Sequence, residues 1–84
     1  MEKTVATFRK GTREEIRIAL SEFQANGKTF DMISARVFFD DGNEYRPGRN
    51  GLNLKIELLP ELIAALTEAE TEARAAGLIP GADS

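Results

Sequence analysis

Asn26-Gly27 stands between two stretches in which apolar residues alternate, and no other feature of this 84-residue chain restricts its folding as much. Both residues accept positive φ, which a two-residue type I′ hairpin turn requires. Before the pair, Ile16, Ile18 and Leu20 fall on one side of an extended chain, with Arg17, Ala19, Ser21 and Phe23 on the other. After it, Ile33, Ala35 and Val37 oppose Met32, Ser34, Arg36 and Phe38 along residues 29–39. Period two marks a strand with one buried face. Residues 15–39 are therefore expected to form an antiparallel hairpin.

The remaining segments extend that hairpin. Asp40-Asp41-Gly42-Asn43 reads as a second reversal. Glu44-Tyr45-Arg46 reads as a short third strand ended by Pro47, which has no N–H to give a ladder. Residues 47–51 read as a glycine-rich loop, and 52–56 alternate again as a fourth strand. Leu58, Leu62, Leu66, Ala69, Ala73 and Ala76 recur at helical spacing, with Leu59 and Ile63 widening the stripe. Pro60 suits a first helical turn, and Gly77 and Pro80 suit an end. Residues 1–13, rich in Lys and Arg, read as a flexible arm; 14–76 as the domain; 77–84 as a tail. The expected fold is α+β: a four-stranded antiparallel meander followed by one C-terminal amphipathic helix.

Size and composition limit the function. A domain this small needs help from a disulfide, a metal or a partner chain. The chain has no Cys and no His, so self-association is the help that remains, and a homodimer is expected. No cofactor, metal site or small-molecule substrate is expected. No apolar run approaches the ~18 residues of a membrane span, and a cytoplasmic location is expected. Catalysis would have to use carboxylates, Lys, Ser or Tyr. Asp40 and Asp41 are explained by the turn they make, and Asp31 has no evident acid–base partner, so the chain is not read as an enzyme.

The net charge of −3 hides an asymmetry: residues 1–56 hold ten Lys/Arg and eight acids, whereas 57–84 hold one Arg and six acids. One helix covers one face of a four-stranded sheet. The other face would carry Arg17, Phe23, Arg36, Phe38 and Lys55. Surfaces that bind single strands combine cations for phosphates with rings on which bases stack. The plainer reading is that the rings are core, or anchors for a protein partner.

The landmarks Phe23, Asn26-Gly27-Lys28, Phe30-Asp31 and Pro47-Gly48-Arg49-Asn50-Gly51-Leu52-Asn53-Leu54 carry a resemblance. In their order and spacing, over about residues 14–76, the chain resembles the positive-cofactor-four family of transcriptional coactivators. The resemblance implies a homodimer of four-stranded sheets with one helix each, binding single-stranded DNA in transcription regulation, with the transcription machinery as a partner. It implies phosphate contacts at Lys28, Arg36, Arg46 and Arg49. It also implies stacking at Phe23, two residues further from the turn than in the family, and at Phe39. Alternation nominates Phe38 instead, and a β-bulge would reconcile the two. Arg17 and Lys55 join the set from the face pattern, and Tyr45 as a further ring. Asn50 departs from the lysine usual in the family.

Two rival readings remain. Gly48-Arg49-Asn50-Gly51 matches the Gly-x-x-Gly loop that clamps RNA backbone in KH domains. That loop lies between helices, however, and here strand patterns flank it. A protein-interaction or dimerisation module would use the same aromatic-basic face without the salt dependence of phosphate binding.

Overall fold

The computed structural model describes residues 2–80, so Met1 and the end of the expected tail, 81–84, lie outside the described residues. Four antiparallel strands neighbour one another in chain order: β1 (Lys3–Gly11), β2 (Glu14–Ala25), β3 (Lys28–Asp40) and β4 (Tyr45–Lys55). One 3-10 turn, Ile56–Leu58, leads into the helix α1 (Leu59–Ala75).

The central hairpin forms as its turn dictates. Asn26 (φ 53°) and Gly27 (φ 75°) both take the left-handed conformation of a type I′ turn. The β2–β3 register runs unbroken from Ala25↔Lys28 to Glu14↔Phe39. Pro60 lies in the first turn of α1. Gly77 (φ 75°) ends it: the Leu78 N–H donates to the Ala73 carbonyl at 2.8 Å and the Gly77 N–H to Arg74 at 3.1 Å. That pair of bonds is the Schellman motif, and it satisfies carbonyls the helix would otherwise leave open.

Two sequence expectations are corrected. The first is the arm: residues 3–11 are a strand, paired with β2 from Lys3↔Leu20 to Gly11↔Glu14. A register shift between Thr4 and Ala6 breaks the apolar alternation, and the strand is an exposed edge with little apolar content. The second is the split after residue 44: the third strand, loop and fourth strand are one strand, β4. Pro47 is tolerated because β4 is the other edge of the sheet. Between Pro47↔Phe38 and Gly51↔Arg36, residues 48–50 oppose Val37 alone, which makes a bulge. Glycine is needed there. A Cβ on Gly48 would lie 3.0 Å from the Val37 carbonyl oxygen, and one on Gly51 2.9 Å from that of Ala35. The Gly-x-x-Gly segment is thus strand backbone held against β3. The count of four strands stands because one strand was gained and two merged.

Register sorts the side chains into two faces. Ile16/Val37, Ile18/Ala35 and Leu20/Ile33 are cross-strand pairs, and β4 adds Leu52 and Leu54 beside Ala35 and Ile33. Leu59, Leu62, Ile63 and Leu66 of α1 meet this face over Ile18, Ile33, Ala35 and Leu52, leaving a groove of about 150 Å³ between helix and sheet. Closure is slight. Among the described residues, the buried apolar ones are Ala19 (4% exposed) and Ile33 (6%), while Ile63 and Leu66 are 55% and 59% exposed. The accessible surface is 6702 Å², where a compact chain of this mass would expose about 4,900 Å². The radius of gyration is 15.6 Å, against about 12 Å for a compact chain of this length. Among the described residues no helix is long and apolar enough to cross a membrane.

Candidate nucleic-acid interface

The face away from α1 takes the other half of each strand. Arg17 and Arg36 stand directly opposite each other on β2 and β3, followed by Glu15/Phe38 toward one end and Ala19/Ser34 toward the other. Like charges at a cross-strand pair repel, so each guanidinium is held by a partner. The Arg17 Nε donates to Glu15 Oε2 at 2.6 Å, and its guanidinium carbon lies 4.1 Å from the centre of the Phe38 ring and 5.6 Å from that of Tyr45. The Arg36 Nη1 donates to the Gly48 carbonyl at 3.2 Å, so the β4 bulge aims that side chain.

Beside the arginines lies a basin of about 190 Å³, lined by Arg17 and Arg36 with Glu2, Thr4, Ala19, Ser34 and Phe38. Two guanidiniums against one carboxylate, with the Thr4 and Ser34 hydroxyls, leave the lining net positive and suited to an anion. A larger hollow, about 360 Å³, lies by Lys3, Leu20, Glu22, Asp31 and Ile56. Its two carboxylates make it a poor seat for phosphate.

The hairpin end of the same face carries a second group. Phe23 and Phe30 are cross-strand partners, and Phe23 is 57% exposed. The Lys55 Nζ lies 5.2 Å from the centre of the Phe30 ring. Lys28 opens β3 beside the turn, exposed. Phe30 and Phe38 are eight residues apart on β3, so about 26 Å of strand separates the two aromatic groups.

The face therefore unites Arg17, Phe23, Arg36, Phe38 and Lys55, with Lys28 at its hairpin end. It does not include Phe39 or Arg46. The β2–β3 register has no bulge, so alternation holds through the end of β3. Phe38 lies on the Arg17 side, and Phe39, cross-strand from Arg46, lies on the helix side. Arg46 is engaged at the β3–β4 turn, where it bonds Asp41 and lies 3.7 Å from Glu44. Asp41 also accepts the Glu44 and Asn43 N–H groups at 3.0 and 2.9 Å. The Glu44 N–H, the Arg46 guanidinium and the Asn43 N–H, in that order, hold its carboxyl well below the usual carboxylate range. Arg49 is exposed in the bulge at the sheet edge.

The sequence reading gives no binding role to Phe30, Thr7 or Asn53, although Phe30 and Asn53 are among its landmarks. Phe30 shares the even-numbered alternation of Arg36 and Phe38, so its signal was present. Asn53 pairs with Ser34 and Thr7 with Arg17; their places became visible only with β4 continuous and β1 a strand. Comparison with known proteins finds no matching family model, no matching curated protein and no matching solved structure.

Proposed function

We propose that the chain acts as a homodimer that binds single-stranded DNA along the sheet face opposite its helix, in the cytoplasm and in the service of transcription regulation. The observation that carries this reading is the directly opposed Arg17–Arg36 pair, with Phe38 and Tyr45 at one end and Phe23, Phe30 and Lys55 at the other. Repulsion within an arginine pair is relieved by an anion, so the pair is a natural place for phosphate. Rings about 26 Å apart along a strand suit an extended chain of unpaired bases, which stack without regard to sequence. A duplex keeps its bases inside and offers the rings nothing. The resemblance of residues 14–76 to the coactivator family supports the same reading.

The dimer rests on surface area. The chain exposes roughly 1,800 Å² beyond a compact chain of its mass, and a stable interface removes about 800 Å² per partner. The half-exposed Ile63 and Leu66 on α1 and the exposed Phe8 on β1 supply apolar surface for it. Two copies meeting there leave both basic faces open to solvent.

The test is fluorescence anisotropy with a labelled dT strand and the matching duplex across a salt series. Tight single-strand binding is expected, with a log–log salt slope of about −2 for three phosphate contacts. Arg36→Ala with Lys28→Ala is expected to weaken it strongly without unfolding the protein. Affinity for the duplex equal to that for the single strand, or a flat salt response, would remove the proposal and leave a protein-binding face. An RNA strand in the same titration reports whether the 2′-hydroxyl is tolerated.

A further inference from the structure

We propose that Glu15 is a positioning residue that keeps the Phe38 stacking face capped by Arg17 until a base displaces it. The inference rests on the single-strand reading above. In the free protein the Arg17 guanidinium sits 4.1 Å from the centre of the Phe38 ring. That is where a stacked base would lie. The cross-strand neighbours of Phe38 on either side are Glu15 and Pro47. On that face of the ring a base can stack only when Arg17 moves.

Glu15 opposes that movement. Its Oε2 accepts from the Arg17 Nε at 2.6 Å, with both side chains partly shielded from water. The same guanidinium reaches Tyr45, so one cation covers both rings at this end of the face. When a base stacks on Phe38, the freed guanidinium is left beside Arg36, across the strand, where a phosphate neutralises both. Binding thus trades a ring and a carboxylate for a phosphate. A strand lacking bases offers the phosphate without the stacking, and gives Arg17 no reason to leave the ring.

The test compares the parent chain, Glu15→Gln and Glu14→Gln. Two ligands are used: a dT strand of about 15 nucleotides, within the range such sites span, and an abasic strand of equal length. Glutamine keeps the shape of Glu15 and removes its charge. Glu14 is the adjacent acid, pairs with Lys10 at 3.0 Å and lies cross-strand from Phe39 on the helix side of the sheet, so its variant reports the plain effect of one lost negative charge. Glu15→Gln is expected to tighten dT binding roughly two- to five-fold more than it tightens abasic binding, the scale of a part-exposed ion pair. Glu14→Gln is expected to change both ligands alike. An equal gain on both ligands with Glu15→Gln, or a gain no larger than that of Glu14→Gln, overturns the proposal and leaves Glu15 a simple counter-ion. If the parent chain does not prefer dT to the abasic strand, the stacking reading itself falls, and the cap with it.

Discussion

An alanine at position 51 would place its Cβ 2.9 Å from the Ala35 carbonyl oxygen and 3.2 Å from the Arg36 Cα. Both are backbone atoms of β3, so no rotamer change relieves the contact. The strands must separate by a few tenths of an ångström or the local ladder must break. Overpacking of this kind costs about 1–3 kcal/mol. Alanine restricts the unfolded chain and returns about 0.4–1 kcal/mol. The net destabilisation is on the order of 1–2 kcal/mol, or roughly 4–16 °C in melting temperature for a domain of this size. Gly11→Ala is the matched control: its Cβ would meet only Glu14 Oε1, at an ordinary 3.8 Å. With no clash to offset it, the unfolded-chain effect alone remains, so this variant should leave stability unchanged or raise it by up to about 1 kcal/mol. Thermal unfolding followed by circular dichroism, at one fixed protein concentration, reads both variants. The bulge also carries the Gly48 carbonyl that holds Arg36. Gly51→Ala should therefore weaken dT binding even at a temperature where it is fully folded. A Gly51→Ala melting temperature within 2 °C of the parent, or a shift equal to that of Gly11→Ala, would refute the tight β3–β4 approach.

Three further outcomes are expected. Phe38→Leu should weaken dT binding by about 1–3 kcal/mol, the worth of one stacked base, while Phe39→Leu should leave it within two-fold; the reverse order in an anisotropy titration would put the stacking ring on the helix side. Ile63→Glu with Leu66→Glu should turn a dimer into a monomer in sedimentation at micromolar concentration, and an unchanged dimer would move the interface off α1. Asp41 has a folded pKa below its unfolded value, so its contribution to stability is complete above about pH 4 and is lost as pH falls toward the lowered value. Melting temperature should accordingly drop below about pH 4, and Asp41→Asn should lower it at neutral pH and flatten the acid drop; an identical acid drop in the variant would contradict the pairing with Arg46 and the turn.

Local signals located some parts of this protein before any contact was known. Asn26-Gly27 demanded a type I′ turn because both residues tolerate positive φ, and the turn then set the whole β2–β3 register. Alternation along those strands placed Arg17, Arg36 and Phe38 together, because side chains two apart share a face. Helical spacing of leucines with Pro60 and Gly77 bounded α1 to within a residue or two. Edge strands were less legible. β1 is interrupted by a bulge at Val5, and β4 passes through Pro47, Gly48 and Gly51, so neither shows a clean period. Both are defined by the strand beside them.

Local preferences alone specify the Asn26-Gly27 turn and the Asp40–Asn43 reversal, the two central strands, the helix and the basic-aromatic character of one sheet face. Each depends on preferences of residues near one another along the chain, such as φ, side-chain period and capping. Pairing with a neighbouring strand is what brings residues 3–11 into the sheet and makes 45–55 one strand. Only the folded sheet turns Arg46 to Asp41 and lays Arg17 over Phe38 under the hold of Glu15. Those outcomes depend on hydrogen bonds and ion pairs between side chains and strands whose closeness only the folded register creates.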